Sequence, residues 1–310
     1  MKAVYLDRPG GPEVLQYGDQ PDPVAGPGQV VVDAHAASVN GVDWRVRAGL
    51  YGNGPYPLIL GRDFSGVVSA VGQGVTDLRV GDDVFGVLEA GREGAYAEKI
   101  AIGAAIVAKK PAALSHVDAA ALALTGLTAL VSVEDTLKLK AGETILIQGG
   151  AGGVASFAIQ LAKHLGARVI TTASAANAAY LRGLGADEVI DYHSADVAEA
   201  TGDIDVAVDL VGSETTLAQS VAVTRPGGLV VAVPSGTSPE LLARAAESGV
   251  RVASYLVEPD GHALAEIAAL IECGAVRAEV EEVFPLADAA AAHRRLEDGR
   301  TRGKLVLAIR

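Results

Sequence analysis

A glycine-rich turn carries the clearest chemical signal in this chain of 310 residues. The β-type run 144–147 leads into Gly149-Gly-Ala-Gly-Gly-Val-Ala155, and a helical pattern continues through His164. Strand, tight turn and helix in this order place free N–H groups where a pyrophosphate can approach the backbone. A structural turn also uses glycines, and this one reads G-x-x-G-x-x-A, but its context favours dinucleotide binding. The expected backbone contacts come from Ala151, Gly152, Gly153 and Val154.

The residues after the second strand of this pattern predict which dinucleotide binds. A site for NAD usually has an acid near the end of that strand, where it would repel a 2′-phosphate. No acid occurs from Thr171 through Ala186, and Ser174 and Asn177 offer a hydroxyl and an amide instead. We therefore predict NADPH as the cofactor, preferred over NADH by a modest margin.

The surrounding pattern indicates two kinds of domain. Short β-type runs with Gly and Pro punctuation in the first hundred residues predict a largely antiparallel β domain. From about residue 120, Ala-rich helices alternate with apolar runs that are typical of strands in a parallel, doubly wound sheet. The tail after Asp260 is too short to fold alone, so we expect it to return to the first domain. The predicted strands are 29–34, 64–71, 83–87 and 95–100, then 144–147, 169–172, 189–190, 206–210, 229–233 and 252–257.

Composition and charge exclude several classes of protein. The net charge of −13 and the 4% aromatic content argue against a nucleic-acid binder. Cys273 is the only cysteine, which excludes an intramolecular disulfide and a multi-cysteine zinc site, and we expect it to be buried. Asp7 interrupts any signal-peptide core, and the apolar run 119–133 is shorter than the ~20 residues that span a bilayer. These features predict a cytoplasmic protein that is not inserted in a membrane.

Five motifs occur in order along the chain: Leu78-Arg-Val-Gly-Asp-Asp-Val-Phe-Gly86, Ala123-Leu-Thr-Gly-Leu-Thr-Ala129, the turn 149–155, Arg225-Pro-Gly-Gly228 and Gly303-Lys-Leu-Val-Leu307. With these motifs, the chain resembles the medium-chain dehydrogenase/reductase superfamily, in its zinc-independent quinone oxidoreductase (zeta-crystallin-like) branch. The resemblance covers the full length and implies a GroES-like catalytic domain over 1–119, completed by 258–310, and a Rossmann NADP(H)-binding domain over 120–257. It also implies an active site between the domains and a homodimer, with the strand at 252–256 as a plausible edge.

The segments that hold zinc in other members of the superfamily lack their ligands here. Those members carry a Cys and a Gly-His-Glu segment, which correspond to Ser38-Val-Asn-Gly-Val-Asp43 and Gly61-Arg62-Asp63. We therefore expect no metal, and we interpret Arg62 and Asp63 as an ion pair in the vacated space. Hydride transfer to an already electrophilic quinone or enone needs no zinc, because the protein has only to position the reactants and stabilise an oxyanion.

Two residues are candidates for catalysis. The resemblance places Asn40 on the floor of the active site, where it would donate to a carbonyl or to the nicotinamide ribose; an ordinary turn residue is the alternative. Tyr51 lies in a glycine-rich loop, where its phenol would serve as a proton source. A tyrosine on a surface loop is the alternative for this residue.

Further candidates for the cofactor site follow from the resemblance and from strand ends. Thr125 matches a position that approaches the nicotinamide, with a hydroxyl bonded to its own helix as the alternative. Tyr192 resembles a tyrosine that contacts the phosphate, and Lys304 a lysine on the cofactor side, with an exposed lysine as the alternative. The residues expected near the carboxyl ends of strands, where core packing is the alternative, are Val211, Val233, Ser235 and Leu256.

The sequence thus predicts an NADPH-dependent oxidoreductase that transfers hydride to a small electrophilic acceptor, a quinone or an α,β-unsaturated carbonyl. An enoyl-thioester or polyketide-tailoring reductase is an alternative within the same chemistry. A nucleotide-binding structural or regulatory protein without turnover, like the lens crystallins of this family, is an alternative of another class. An assay of turnover with NADPH and a panel of acceptors distinguishes these hypotheses.

Overall fold

The structure is a computed structural model that describes residues 1–52, 54–233 and 237–310. The chain forms two units: a first unit of residues 1–127 with 258–310, and a second unit of residues 128–257. The strands are β1 (Lys2–Leu6), β2 (Gln16–Asp19), β3 (Gln29–Val39), β4 (Leu58–Ile59), β5 (Asp63–Val71), β6 (Asp83–Val87), β7 (Lys99–Gly103), β8 (Val107–Lys109), β9 (Thr144–Gln148), β10 (Arg168–Ala173), β11 (Glu188–Asp191), β12 (Ile204–Asp209), β13 (Thr224–Ala232), β14 (Arg251–Ser254), β15 (Val280–Pro285) and β16 (Lys304–Ala308). The α-helices are α1 (Gly41–Arg47), α2 (His116–Leu130), α3 (Gly153–His164), α4 (Ala178–Gly183), α5 (Val197–Ala200), α6 (Glu214–Val223), α7 (Pro239–Glu247), α8 (Gly261–Glu272) and α9 (Ala289–Glu297), and a π-helical turn, Val131–Thr136, follows α2.

The first unit is built on a β-sheet whose longest strand is β3. The strand order is β15-β16-β3-β5-β6-β8, and β7 also pairs with β3, while a smaller sheet has the order β2-β1-β4. Every pair in these sheets is antiparallel except β15 with β16. The predicted class, a largely antiparallel β domain, is confirmed. Because β16 pairs with β3, the C-terminal tail is part of this sheet.

One predicted strand begins in the wrong place. The pattern predicts a strand over 95–100, whereas β7 begins at Lys99. The residues before it bond to β1 instead, since the Val4 N–H donates to the Tyr96 carbonyl at 2.8 Å. Two successive pairings therefore share one run of alternating apolar residues, and the alternation alone does not separate them.

The second unit is a parallel sheet with the order β11-β10-β9-β12-β13-β14. Ile145, Leu146 and Ile147 of the central strand β9 are fully buried, as continuous apolar runs require when helices cover both faces. The predicted six-stranded doubly wound sheet is confirmed. Within this sheet, β13 differs most from its predicted range, because it begins at Thr224 and includes the segment Arg225-Pro-Gly-Gly228.

The longest apolar stretch forms a largely buried helix. Among the described residues, His116–Thr136 is the one helical stretch long and apolar enough to cross a membrane, and 72% of its apolar window is buried inside the protein, as in a core helix. The prediction that Cys273 is buried is wrong: it caps the exposed end of α8. The buried face of α8 carries Leu264 and Ile267. Cys273 lies six residues after Ile267, a spacing that places its side chain away from that face of the helix.

Candidate active site

A cluster of buried polar side chains lies in the first unit, where β3 ends and β5 begins. Asp63 is fully buried, and its two carboxylate oxygens accept from the Ser38 hydroxyl at 2.9 and 2.8 Å. Asn40 Nδ2 donates to Asp63 at 2.8 Å, and the Leu124 N–H in α2 donates at 3.2 Å. Burial raises the pKa of Asp63, and these donors together with the nearby charge of Lys304 act against that rise. The carboxylate is therefore buried but well supplied with hydrogen bonds.

Lys304 supplies the cation of this cluster. The residue is 6% exposed, and its Nζ donates to Asn40 Oδ1 at 2.5 Å and to the Val39 carbonyl at 2.9 Å. Burial lowers the pKa of Lys304, and the carboxylates of Asp63 and Asp43 oppose this effect. The alternative of an exposed lysine is therefore wrong, because the pairing of β16 with β3 carries this side chain into the cluster.

Asp43 completes the cluster from the first turn of α1. The Asn40 N–H donates to Asp43 Oδ2 at 2.7 Å, a capping contact, and the Tyr96 hydroxyl donates to the same oxygen at 3.1 Å. Asp43 Oδ1 is buried and has no hydrogen-bond partner among the described residues. Burial, with the neighbouring Asp63 carboxylate, raises the pKa of Asp43 to about 7. This carboxyl group therefore changes charge near neutral pH.

The side chains of Asn40 and Arg62 both form hydrogen bonds inside the protein. Asn40 is 7% exposed, and its amide is engaged on both sides by Asp63 and Lys304. The predicted ion pair between Arg62 and Asp63 is wrong. Arg62 Nε donates to the Leu88 carbonyl at 2.9 Å, because adjacent residues entering an extended strand point to opposite faces.

Tyr51 lies at the surface of the first unit, beside a cation. It is 46% exposed, and Arg45 Nη1 donates to its hydroxyl at 3.4 Å. The Arg45 guanidinium also lies 5.7 Å from the centre of the ring, within the range of a cation–π contact. The phenol is accessible to a small molecule, as a proton donor must be.

Thr125 is 5% exposed and lies inside α2. Its hydroxyl donates to the Ala121 carbonyl at 2.8 Å, which is the helix-internal bond expected for a threonine in this position. The oxygen keeps lone pairs that can accept a further hydrogen bond. A contact with a cofactor would therefore have to use this residue as an acceptor.

The glycine turn in the second unit joins β9 to α3. Gly149 has φ of +80°, which favours glycine, and its N–H donates to the Thr172 hydroxyl at 3.1 Å. The Gly150 N–H donates to the Thr172 carbonyl at 2.9 Å, and a Cβ added at Gly150 would come within 2.2 Å of Thr171 Oγ1. These two glycines shape the turn and allow it to pack on β10.

Gly152 has a different role in the same turn. It follows Ala151 as the N-cap of α3, with φ of −75° and ψ of 166°, and an added Cβ would meet only the Gly149 carbonyl oxygen at 3.6 Å. The N–H groups of Gly153 and Val154 belong to the first helical turn, which has no intrahelical acceptors. Packing does not require this glycine, and the neighbouring N–H groups have no acceptor among the described residues, which fits a site where an anion approaches the helix N-terminus.

The residues expected to meet a 2′-phosphate follow β10. Ser174 and Asn177 are half-buried, and Asn177 Nδ2 donates to Ser174 Oγ at 3.3 Å, while Tyr192 is 57% exposed. An acid also lies close to the end of β10. Asp191 ends β11 in register with Ala173 of β10, so a carboxylate lies on the neighbouring strand.

The other residues predicted at strand ends have different exposures. Val211 follows β12 and is 47% exposed, and Leu256 follows β14 and is 71% exposed. Neither side chain is therefore packed in the core, which was the alternative interpretation. Val233, after β13, is half-buried. Ser235 lies outside the described residues.

Sequence reasoning missed three residues that pack behind the cluster: Arg47, Tyr96 and His293. His293 is fully buried, with Nε2 3.3 Å from the Tyr96 hydroxyl and Nδ1 3.0 Å from Arg47 Nη1. A signal for it exists in the sequence, since His293 shares a helical stripe with the buried Ala289 and Ala292. A polar residue on such a stripe needs a buried partner.

No group of three or more His, Cys, Asp or Glu that could hold a metal ion occurs within the described ranges. The cluster instead combines two carboxylates, an amide, a hydroxyl and an ammonium. Each carboxylate accepts from at least two donors. Protein donors therefore satisfy most of the acceptors of this cluster.

Comparison with known proteins finds relatives along the whole chain. Residues 26–112 match the alcohol dehydrogenase GroES-like domain, and residues 184–307 match a zinc-binding dehydrogenase model. The quinone oxidoreductase of Pseudomonas aeruginosa is 35% identical over 324 residues, covering 99% of each chain. The chloroplastic NADPH-dependent alkenal/one oxidoreductase of Arabidopsis thaliana is 34% identical, covering 99% of this chain and 79% of that protein. The crystal structure of Escherichia coli quinone oxidoreductase complexed with NADPH is 30% identical, with a TM-score of 0.92 and complete coverage of both chains.

The antiparallel sheet, the doubly wound parallel sheet and these matches define an oxidoreductase of the dehydrogenase/reductase type. The chain belongs to the medium-chain dehydrogenase/reductase superfamily, in its quinone oxidoreductase branch. The resemblance drawn from the sequence motifs is confirmed.

Proposed function

We propose that this protein is an NADPH-dependent, zinc-independent reductase of quinones and α,β-unsaturated carbonyl compounds. The observation that carries the proposal is the buried cluster with Lys304 at its centre. A catalytic zinc needs about three protein ligands with lone pairs directed at one point. Here the lone pairs of Asp63 and Asn40 already accept from hydroxyl, amide and ammonium donors. A reaction with an acceptor that is electrophilic without a Lewis acid suits this donor set.

The residues that would hold NADPH are those of the glycine turn and of the end of β10. The free N–H groups at the start of α3 suit the pyrophosphate, and the absence of an acid between Ser174 and Asn177 suits a 2′-phosphate. The relatives named NADPH-dependent or solved with NADPH support the same cofactor. The further residues assigned to the cofactor are Asn40, Thr125, Ala151, Gly152, Gly153, Val154, Tyr192, Val211, Val233, Ser235, Leu256 and Lys304.

When bound, the reduced nicotinamide supplies a hydride. Hydride addition to the β-carbon of an enone leaves negative charge on the carbonyl oxygen, and a proton must then arrive from the protein or from water. Lys304 uses two of its three N–H donors inside the cluster, which leaves one without a partner among the described residues. We assign this donor of Lys304 to the cofactor, and Tyr51, with its accessible phenol, to proton donation.

A screen of NADPH oxidation with quinones, enones, enals and enoyl thioesters tests the proposal. We expect turnover with quinones or enones, and a lower kcat in Tyr51→Phe, with Tyr17→Phe as the control because Tyr17 is an exposed tyrosine on β2. Turnover confined to enoyl thioesters would replace the proposed substrate class. Tight NADPH binding with no turnover on any acceptor would favour a structural, crystallin-like role instead.

We also propose a homodimer that uses the free edge of β14. This strand is the last of its sheet, so its outer N–H and C=O groups have no partner strand in the described residues. Sedimentation equilibrium at assay concentration should give twice the mass of the 31.4 kDa chain. A monomer would refute this assembly and leave the proposed reaction unaffected.

A further inference from the structure

A chain of hydrogen bonds runs from Asp43 into the interior of the first unit. The Tyr96 hydroxyl lies 3.1 Å from Asp43 Oδ2, His293 Nε2 lies 3.3 Å from the Tyr96 hydroxyl, and Arg47 Nη1 lies 3.0 Å from His293 Nδ1. Asp43, Tyr96 and His293 are fully buried, and Arg47 also pairs with Glu297. Four side chains from three separate segments of the chain therefore form one connected array behind the cluster.

The donors and acceptors of this array have one consistent order. A guanidinium group only donates, so His293 Nδ1 accepts from Arg47 and the ring proton lies on Nε2. Burial, with the charge of Arg47, lowers the pKa of His293 to about 3, so the ring stays neutral. Nε2–H then donates to the Tyr96 oxygen, and the Tyr96 O–H donates to Asp43. The array thus directs a donor at the carboxylate.

Asp43 links this array to the candidate active site through hydrogen bonds. Its Oδ2 accepts from both Tyr96 and the Asn40 N–H, and the Asn40 amide in turn holds Lys304 Nζ. Without the Tyr96 donor, only the Asn40 N–H would anchor the carboxylate, since Oδ1 has no partner in the described residues.

We propose that Tyr96 and His293 are positioning residues of the active site: they orient Asp43, which holds Asn40 and sets the charge opposite Lys304. This inference rests on the proposed function, in which Asn40 and Lys304 serve the cofactor. The charged and titratable groups that surround Asp43 come from five elements or segments of the first unit: Asp63 of β5, Lys304 of β16, Arg47 of α1, His293 and Glu297 of α9, and Tyr96 before β7.

The array has a consequence for the dependence of turnover on pH. Ionisation of Asp43 adds one negative charge beside Asp63 and Lys304, and protonation of Asp43 removes that charge. An anionic cofactor and a developing oxyanion favour the neutral state. We therefore expect kcat/KM to fall as the pH rises through the pKa of Asp43, about 7.

The substitution Tyr96→Phe tests the inference. Because the Tyr96 hydroxyl stabilises the ionised carboxylate, its loss raises the pKa of Asp43, and the falling limb of the profile should move up by about one pH unit. The assay measures kcat/KM for one good acceptor at saturating NADPH from about pH 5 to about pH 9. Saturation removes the titration of the free cofactor phosphate from the comparison.

Asp43→Asn is the second variant, because a carboxamide keeps an acceptor for Tyr96 and Asn40 but cannot ionise. Its falling limb should disappear. Tyr17→Phe, which removes an exposed hydroxyl from the same unit, should retain the wild-type profile. Thermal melts report whether each variant is folded, and if Tyr96→Phe does not fold, the Asp43→Asn profile decides.

A shifted limb in Tyr96→Phe and a lost limb in Asp43→Asn would support the inference. An active wild type whose limb keeps its midpoint in both variants, even with a lower rate at every pH, would overturn this inference alone and assign the array to stability. A wild type with no NADPH-dependent turnover would overturn the proposed function, and this inference with it.

Discussion

Replacing Gly152 by valine separates the role of the glycine turn in the fold from its role in binding. Gly152 has φ of −75° and ψ of 166°, an extended conformation that valine adopts readily. An added Cβ meets only the Gly149 carbonyl oxygen, at the ordinary contact distance of 3.6 Å. We expect the free energy of unfolding to change by less than about 1 kcal/mol.

The substitution should instead weaken the binding of NADPH. A branched side chain beside the first-turn N–H groups of Gly153 and Val154 would keep a pyrophosphate from the helix N-terminus. The loss of one hydrogen bond to a charged group costs about 1.5–3 kcal/mol, which raises the dissociation constant of NADPH roughly ten- to hundredfold.

Two glycines provide matched controls in the same unit. Gly150→Ala should destabilise the protein by about 1–3 kcal/mol, because its Cβ would lie 2.2 Å from Thr171 Oγ1. Gly183→Ala in α4 meets nothing within 4 Å and should leave NADPH binding unchanged. Calorimetric titration with NADPH and thermal melts of the three variants give both quantities. Wild-type affinity in Gly152→Val would refute the reasoning and make the turn a structural connection only.

Three further predictions concern the cofactor, the metal and acid stability. The kcat/KM with NADPH should exceed that with NADH roughly ten- to hundredfold, which corresponds to about 1.4–3 kcal/mol. Asn177→Lys should increase this ratio, because it adds a cation near the 2′-phosphate. Equal kcat/KM values in the wild type would mean that Ser174 and Asn177 do not select the phosphate. Chelators should leave turnover unchanged and the purified protein should hold no stoichiometric zinc, whereas chelator-sensitive turnover would contradict the assignment of Lys304. Burial lowers the pKa of His116 to about 4, so the unfolded chain takes up this proton first, and this histidine lowers stability as the pH falls from about 6.5 to about 4. Because the raised pKa of Asp43 acts in the opposite sense over the same range, the test compares the wild type with His116→Gln: the stability of the wild type relative to the variant should fall as the pH falls, and a constant difference in melting temperature would contradict the pKa shift.

The parallel sheet is the part of the fold that the sequence predicts best. A strand covered on both faces needs apolar residues in succession, and the run at 144–147 differs from β9 by one residue. The less accurate elements are those that depend on a partner elsewhere in the chain. β7 begins at Lys99 because the preceding residues pair with β1, and nothing local distinguishes the two pairings.

The same distinction between local sequence and remote partners applies to the candidate site. The glycine turn is local, since seven consecutive residues supply the bend and the free donors. The misassigned residues are those whose partners are remote in sequence. Arg62 and Asp63 have the charges of an ion pair, yet they bond to Leu88 and to Ser38 because they face opposite sides of the chain.

The sequence by itself determined the class of fold, the glycine-rich turn between strand and helix and the absence of cysteine ligands for zinc, because each depends on composition or on neighbouring residues. Only the tertiary structure decided which side chains Lys304 and His293 contact. Lys304 meets Asn40 across 264 residues and His293 meets Tyr96 across 197. Such contacts arise when β16 and α9 pack on the first sheet, and the burial that accompanies packing is also what shifts the pKa values of Asp43, His293 and Lys304.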